Sequence, residues 1–377
     1  MLEIGSRFGD YTVERLLGQG GMGAVYLIRD PLSGAAYALK LMTPPKGEDE
    51  HEWRKRFARE ADFAMKVRHR NLIAVHDVGE DPDSGFCWLI MDYMAGGNVA
   101  GRLKAKGRYK VDEAIAIVVQ IASALERAHA AGVIHRDIKP DNIMFDAEGV
   151  PHLADLGIAK FSGDAGKTTT FTATGVIIGT PAYMAPEQML DSRRVDVRAD
   201  IYSLGVVFYE MLTGERPHGD SSVVELMAKS LKGEELPSVR KVRPDVPEAV
   251  ARVVSVMCAT DCENRPKSAI EVIKLCRDAA SGMKVKVKPR RRRASRRFAR
   301  WRKAVLGVLQ TVVALSVFAG GGWICGWLQG RQLRPQPAVQ APVVTVRQVA
   351  ATNYVEVVHT VTNFVDLAAA GSDVRQD

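Results

Sequence analysis

Cysteine is scarce in this chain and is not arranged as a metal site. Five cysteines occur in 377 residues, and the closest two, Cys258 and Cys262, have neither a second cysteine pair nor a histidine pair beside them. Because a structural zinc ion takes four such ligands, we expect no zinc site. The pattern is typical of buried, reduced thiols in a cytosolic domain.

The chain also lacks an apolar leader, and one basic stretch lacks acidic residues. Charged side chains interrupt residues 3–10, so we expect no cleavable signal peptide. Between Lys284 and Lys303 there are twelve Lys or Arg residues and no acidic residue. The formal net charge of +8 is therefore local, because residues 1–283 carry 36 basic and 40 acidic side chains, a net charge of about −4.

Residues 135–155, by contrast, are rich in side chains suited to one kind of chemistry. Asp137 can accept a hydroxyl proton, and Lys139 can neutralise charge on a phosphoryl group during its transfer. Asn142 and Asp155 offer the hard oxygen atoms that Mg²⁺ requires. This stretch therefore predicts a phosphotransfer site.

The two metal-ligand candidates flank a predicted β-hairpin. Short apolar runs at 143–145 and 152–154 indicate its strands, and 146–149 has the composition of a turn. We expect the hairpin to bring the two ligands close together.

A glycine-rich turn between two strands lies near the start of the chain. Gly18 to Val25 contains Gly-x-Gly-x-x-Gly, but strand resumes after it, whereas a dinucleotide-binding fold would continue as a helix. Strand–turn–strand suits a flap over nucleotide phosphates. Lys40 ends the third strand, where it is expected to contact the α- and β-phosphates. A predicted helix over 51–68 carries Glu60, which could pair either with Lys40 or with Arg56 one turn away.

The balance of secondary structure changes near residue 95. The first hundred residues indicate mostly sheet with one helix, and the next 180 indicate mostly helix, with a break at 92–97. We expect an α+β fold of two lobes with the chemistry between them.

At this point the chain resembles the eukaryotic-type protein kinases, most closely the bacterial transmembrane Ser/Thr kinases of that superfamily. The resemblance covers Tyr11 to Ala280, and its motifs occur in the family's order and spacing: Gly18 to Val25, Lys40, Glu60, His135-Arg136-Asp137, Asn142, Asp155-Leu156-Gly157, Ala185-Pro186-Glu187, Asp200 to Gly205 and Arg265-Pro266. It implies the bilobal kinase fold, with a small lobe over 11–94 and a large lobe over 95–280.

The resemblance also implies a role for each motif residue. ATP and Mg²⁺, with Mn²⁺ as an alternative metal, are the implied cofactors. Asp137 is the implied catalytic base, Lys139 the γ-phosphate cation, and Asn142 and Asp155 the metal ligands, while Glu60 holds Lys40. The implied nucleotide contacts are Leu17, Gly18, Gln19, Gly20, Gly21, Met22, Gly23, Ala24, Val25, Ala38, Asp92 and Met94, with Met91 as gatekeeper. Glu187 and Arg265 are expected to form a buried ion pair, and Asp200 to brace the catalytic loop.

Lys139 and Thr180 resemble the Ser/Thr subgroup rather than the Tyr subgroup. Leu156, Arg70 and His218 depart from the usual Phe, Pro and Phe, and none of these changes removes a catalytic group.

The hydroxyl-rich stretch 167–174 is either a flexible loop or a phosphorylation site. Arg136, beside the catalytic base, would pair with a phosphothreonine, so we expect autophosphorylation, with Thr172 and Thr174 favoured.

Residues 304–328 carry no charge and are long enough to cross a bilayer, which needs about 20 apolar residues. A buried core helix is the alternative, disfavoured by the length and by the basic block over 281–303. That block predicts a cytoplasmic kinase domain, an outer C-terminus and contact with anionic lipid rather than with nucleic acid.

The outer tail, 329–377, leaves its structure open. Its near-repeat at 352–357 and 362–367 fits a pair of strands, and its apolar spacing also fits a heptad stripe. Either would be too small to fold alone, so we expect the tail to form a homodimer or to bind a partner.

The sequence thus predicts a single-pass, membrane-anchored Ser/Thr protein kinase with a short lead over 1–10. Two other classes stay open, a kinase-fold signalling scaffold and a kinase that acts on small molecules.

Overall fold

The computed structural model describes residues 2–20, 23–44, 49–81, 85–155, 181–190, 195–219 and 221–283. The chain divides into two units, 1–306 and 307–377, and every described residue belongs to the first. The predicted basic linker from residue 284, the predicted membrane span and the predicted outer tail lie outside the described residues. Among those described, no helix has both the length and the apolar character that a membrane crossing requires.

The small lobe is an antiparallel sheet with one long helix. Six strands, in spatial order β1-β2-β3-β4-β6-β5, form the sheet: β1 Arg7–Phe8, β2 Tyr11–Gly20, β3 Gly23–Arg29, β4 Ala36–Met42, β5 Val75–Glu80 and β6 Cys87–Asp92. The helix α1, Glu50–Lys66, packs Trp53, Phe57 and Ala61 into the core beneath the sheet. The predicted layout of sheet plus one helix is confirmed.

The position of one strand in the small lobe differs from what the sequence predicts. The apolar run at 72–75 predicts a strand there, yet β5 begins only at Val75. Leu72 instead forms a parallel bridge with Leu153, and the Ile73 amide donates to the Leu153 carbonyl over 3.1 Å. The apolar run signalled burial correctly, but its partner is a strand of the other lobe, which residue alternation does not reveal.

The large lobe is helical, apart from one hairpin. Its helices are α2 Val99–Lys106, α3 Val111–Ala130, α4 Pro186–Leu190, α5 Arg198–Thr213, α6 Val223–Lys232, α7 Val239–Val242, α8 Glu248–Met257 and α9 Ala269–Ala280. The hairpin pairs β7, Ile143–Phe145, with β8, Pro151–Leu153. Helix ends follow local chemistry: the Asn98 side chain accepts from the Gly101 amide at the start of α2, and Ser222 and Glu225 cap the start of α6 reciprocally.

The hairpin is held by main chain from both connections to the small lobe. Gly96 and Phe145 form one amide–carbonyl hydrogen bond of 2.8 Å, and Phe145 and Gly97 form another of the same length, which secures β7. The Leu153 amide donates to the Asn71 carbonyl over 2.9 Å, which secures β8. The strands that lead to the predicted metal ligands are thus fixed at both edges.

The four cysteines among the described residues are free thiols, as expected, and their burial varies. Cys87, Cys258 and Cys276 are buried and Cys262 is half-buried. Burial raises the pKa of the Cys276 thiol to about 12, so this group stays protonated at neutral pH.

Helix α5 forms the centre of the large lobe, and most of its side chains are buried. Gly205 lets α8 approach it closely. A Cβ atom placed on Gly205 would lie 2.6 Å from Cys258 Sγ and 2.8 Å from Met257 Cβ. Because packed cores resist added volume, this contact requires glycine.

We expect Gly205→Ala to lower the free energy of unfolding by about 1–3 kcal/mol. Chemical denaturation of wild type, Gly205→Ala, Cys258→Ala and the double variant measures the effect. The double variant should lose less stability than the sum of the single variants, because removing Sγ relieves half of the clash. Strict additivity would show that the two positions do not meet.

Candidate active site

A buried carboxylate holds the predicted catalytic loop. Asp200, fully buried in the first turn of α5, accepts hydrogen bonds of 2.8 Å from the amides of His135 and Arg136 and from Nε2 of His129. Amide and imidazole donors thus satisfy a carboxylate that would otherwise be costly to bury. Asp200 had been expected to brace this loop, and these contacts are consistent with that role.

The loop backbone is strained at two positions. Arg136 and Asp155 have φ angles of 62° and 57°, the positive-φ residues other than glycine among those described. Each such residue costs on the order of 1–3 kcal/mol. His135 helps to hold both: its Nδ1 accepts from the Asp137 amide at 3.2 Å, and its Nε2 donates to the Ala154 carbonyl at 2.7 Å.

The loop brings three predicted catalytic side chains together. Lys139 Nζ lies 3.3 Å from Asp137 Oδ2. The Asn142 amide nitrogen donates to the Asp137 carbonyl at 2.8 Å and to Asp137 Oδ2 at 3.2 Å. This orientation commits the amide nitrogen of Asn142 to Asp137, so its side-chain oxygen is the atom that a metal ion would contact.

The two metal-ligand candidates lie at the same end of the hairpin. The Ala154 amide donates to the Asn142 carbonyl over 2.9 Å, which places Asp155 next to Asn142. One carboxylate and one amide oxygen suit Mg²⁺, which usually takes a few protein ligands and completes its shell with phosphate and water. The donor set therefore fits the implied metal. No cluster of three or more His, Cys, Asp or Glu side chains with metal-binding geometry occurs among the described residues.

Lys40 contacts Asp155 rather than Glu60. Lys40 Nζ lies 2.6 Å from Asp155 Oδ1, and within the described residues no ion pair or hydrogen bond joins Lys40 to Glu60. The expected pairing with Glu60 is thus not formed in this state. Burial opposes ionisation of Asp155, but Lys40, together with His135 and Lys139, holds the pKa of Asp155 below its usual value.

Glu60 is left half-buried on α1 without that partner. Burial raises its pKa to about 8, and the nearby positive charge of Arg56 offsets only part of the effect. Its carboxyl group is therefore mostly protonated at neutral pH.

The glycine-rich turn is a tight hairpin. Gly20 pairs with Gly23 across the ends of β2 and β3, and Gly18 pairs with Val25. A Cβ atom on Gly23 would lie 1.8 Å from the Leu41 carbonyl oxygen, so only glycine fits there. Gly21 and Met22, which lie between Gly20 and Gly23 in the sequence, are outside the described residues.

Several predicted adenine contacts belong to the apolar cluster that also contains Trp53 and Phe57. This cluster joins residues of both lobes, among them Leu17, Val25, Ala38, Met91, Met94, Met144 and Ala154. Ala38 and Met91 face each other in the register of β4 and β6. Asp92 precedes Met94 and is fixed by its own side chain, which accepts from the Ala74 amide at 3.0 Å and from His76 Nε2 at 2.6 Å.

Arg265 and Glu187 form the expected ion pair. Their two hydrogen bonds measure 2.6 and 2.9 Å, and the Arg265 side chain is fully buried. The remaining donors of Arg265 reach the carbonyls of Ala259, Arg198 and Thr260. All five N–H groups of the guanidinium are therefore used, which offsets the cost of its burial.

Sequence reasoning missed two residues that support this site. Gln188, 8% exposed, accepts from the Ala185 amide at 3.0 Å and donates to the Arg136 carbonyl at 3.3 Å, so it joins the catalytic loop to the segment around Glu187. His129 contacts Asp200 as described above. A polar residue directly after Ala-Pro-Glu and a histidine in the last turn of an apolar helix were the signals available.

Several predicted site residues lie outside the described residues. They are Leu156 and the regulatory candidates Thr172, Thr174 and Thr180. Their roles stay predictions.

Comparison with known proteins gave consistent matches. A family model for the protein kinase domain matches residues 11–275. The chain is 39% identical over 278 residues to the serine/threonine-protein kinase PknD of Mycobacterium tuberculosis, covering 74% of this chain and 40% of the relative. It is 38% identical over 278 residues to the serine/threonine-protein kinase PknH of Mycobacterium bovis, covering 74% of this chain and 45% of the relative.

The fold also matches solved structures. The PknI kinase domain of Mycobacterium tuberculosis superposes with a TM-score of 0.57 at 31% identity, covering 74% of this chain and 99% of that one. The chain thus spans less than half the length of the curated relatives named above, but nearly all of this solved kinase domain.

The raised pKa of Glu60 predicts a pH-dependent stability. Between its ordinary pKa of 4.5 and about 8, the folded chain holds a proton on Glu60 that the unfolded chain has released, so the free energy of unfolding falls as pH rises through this window. Glu60→Gln removes this contribution. Relative to the wild type, we expect the variant to gain about 2 kcal/mol of stability between pH 4.5 and 8.5, less than the full linkage because Glu60 is only half-buried.

Denaturant unfolding of both proteins across this range measures the difference and cancels the titration of other groups. Glu113→Gln, an exposed change on α3, serves as the matched control. A constant difference between wild type and Glu60→Gln at all pH values would contradict the prediction.

Proposed function

The chain belongs to the protein kinase family, and on that premise we propose that it transfers the γ-phosphate of ATP to serine and threonine side chains of proteins. The observation that carries this proposal is the contact group of Asp137, Lys139 and Asn142 beside the Lys40–Asp155 pair. It supplies a proton acceptor, two cations and two metal-binding oxygens in one place.

Each group has a defined task in the proposed reaction. Asp137 accepts the proton of the attacking hydroxyl, while Lys139 stabilises negative charge on the transferring phosphoryl group. Lys40 binds the α- and β-phosphates, and the apolar cluster from Leu17 to Met144 encloses the adenine ring. Asn142 and Asp155 would hold Mg²⁺, which supplies charge neutralisation on the phosphates when bound.

Two observations support serine and threonine as acceptors. The curated relatives are named as serine/threonine kinases, and Lys139 and Thr180 follow the pattern of that subgroup. Because the chain spans less than half of those relatives, the activity of the whole protein is part of the proposal.

The state with Lys40 on Asp155 is proposed to be a resting state. Transfer requires Lys40 to pair with Glu60 and Asp155 to take the metal, so both partners must exchange. Autophosphorylation at Thr172 or Thr174 would supply an anion for Arg136 and favour the exchange. A kinase-fold scaffold with incidental transfer is the second candidate, and the absent Lys40–Glu60 pair is the observation that favours it.

We also propose that the chain is anchored in a membrane with its kinase domain on the cytoplasmic side. The support is the uncharged run 304–328 next to the basic block. The block would contact anionic lipid, and the outer tail would form a homodimer.

Incubation with labelled ATP and a generic protein substrate tests the catalytic proposal. We expect Asp137→Asn to lower transfer by about 10²–10⁴-fold, because it removes the proton acceptor. Asp112→Asn, an exposed change on α3, is the control and should keep the wild-type rate. Mass spectrometry of the same reactions should find phosphate at Thr172 or Thr174.

Three outcomes would count against this proposal. Equal rates for wild type and Asp137→Asn would remove the base from the mechanism. Absence of transfer by the wild type would favour the scaffold. Label found only on small molecules would favour a kinase that acts on small molecules.

Membrane fractionation tests the anchor. The full chain should stay in the membrane pellet after alkaline carbonate washing, whereas a chain ending at residue 303, which keeps the basic block, should be released. A chain ending at residue 328 should stay in the pellet and should lose dimers in detergent if the tail forms them. Release of the full chain by carbonate would overturn the proposed span.

A further inference from the structure

The connection between α1 and β5, residues 67–74, is fastened to the large lobe by polar contacts. His69 Nε2 lies 3.1 Å from Ser123 Oγ on α3. The buried Asn71 side chain donates to Gln120 Oε1 at 3.2 Å and to the Pro151 carbonyl at 2.8 Å. This connection therefore anchors α1, the helix that carries Glu60, to α3 and to the catalytic hairpin.

Three exposed arginines gather at this anchor. Arg68 and Arg70 flank His69, and Arg127 on α3 donates from Nε to the Arg68 carbonyl at 3.4 Å. Burial lowers the pKa of His69, and the charges of Arg70 and Arg127 lower it further, so both guanidinium groups act on the same point.

Within the described part of the chain, no carboxylate forms an ion pair with any of these arginines. The nearby acids Asp62 and Glu126 are engaged elsewhere, with Lys66 and with the Ile270 amide. A bound anion would be attracted by the positive charges that act on His69.

A cavity opens at the same place. It has a volume of about 290 Å³ and is lined by three apolar residues, Val67, Leu72 and Ala74, and by Arg68, His69 and Arg70.

We propose that this cavity, which Arg68 and Arg70 line and beside which Arg127 contacts the Arg68 carbonyl, is a binding site for a phosphate group. Guanidinium forks match the oxygen geometry of phosphate and bind it through paired, charge-assisted hydrogen bonds. A dianion suits a site where more than one arginine converges, and the volume leaves room for a small organic body against the apolar lining residues. The ligand class is a free phosphate or a small phosphomonoester, and the headgroup of an acidic phospholipid offers the same chemistry.

Occupancy has a structural consequence. An anion shared by Arg68 and Arg70 on one side and Arg127 on the other joins the connection to α3 in addition to the His69 and Asn71 contacts. The site is thus placed to stabilise the anchor of α1. Binding itself does not depend on phosphotransfer, so its test is separate from that of the proposed function.

The thermal unfolding midpoint of the full chain, titrated with inorganic phosphate against chloride at matched ionic strength, tests the site. A non-hydrolysable ATP analogue with Mg²⁺ fills the nucleotide cleft throughout, so that phosphate cannot act there. Phosphate also stabilises proteins in general by exclusion from their surface, but that effect does not saturate and is common to all variants. We expect a saturable rise in the midpoint for the wild type.

Variants separate the site from general effects. Arg70→Ala and Arg127→Ala should each weaken phosphate binding about tenfold. Arg70→Lys keeps the positive charge but loses the paired guanidinium donors, so its phosphate affinity should lie between those of the wild type and Arg70→Ala. Arg59→Ala, an exposed arginine on α1, is the matched control and should bind as the wild type does. Since all these side chains are exposed, the variants should fold normally.

Two further binding experiments distinguish the source of the phosphate group. Phenyl phosphate should bind more tightly than inorganic phosphate if the apolar lining residues are used. Vesicles with phosphatidic acid, compared between wild type and Arg70→Ala, report on a lipid headgroup. A rise in the midpoint that does not saturate, or one that saturates equally in wild type, Arg70→Ala and Arg127→Ala, would overturn the proposal.

Discussion

The contacts of one buried carboxylate hold the catalytic loop in place. Asp200 lies in the core of the large lobe, and its two oxygens take the amides of His135 and Arg136 and the imidazole of His129. The positive φ angle of Arg136 persists because those hydrogen bonds over-determine it. Asp137 follows Arg136 directly, so the same hydrogen bonds also set the position of its backbone. A residue without a chemical task thereby sets the geometry of the residues that have one.

Lys40 connects the conformation of α1 to the proposed metal site. Its ammonium can neutralise either Asp155 or Glu60, and in this structure it forms an ion pair with Asp155. Glu60 consequently sits in a half-buried environment that favours its protonated form. Movement of α1 towards Lys40 would ionise Glu60 and release Asp155 at the same time. The position of a helix and the availability of a metal ligand are thus coupled through one charge.

The sequence revealed the motif residues, because glycine turns, phosphate-binding cations and hard oxygen ligands each leave a local pattern. It also revealed the lobes, since hydrophobic periodicity changes from two to about 3.6 residues. It could not reveal the partner of Leu72, because alternation signals burial but not which strand is adjacent. Nor could it choose the partner of Lys40, which depends on the position of α1 and not on spacing. Gln188 escaped notice because its contacts join segments 52 residues apart.

The hairpin β7–β8 has main-chain partners along both edges, Gly96 and Gly97 on one side and Asn71 and Ile73 on the other. Both segments belong to connections that lead into the small lobe. A body attached along two separate lines keeps one easy motion, rotation about the axis that joins them, and resists sliding or twisting across it. Asn142 and Asp155 lie at the end of this hairpin, close to that axis, whereas the strands β2 and β3 lie in the other lobe. A rotation about the axis would therefore displace the metal-ligand candidates less than it displaces those strands.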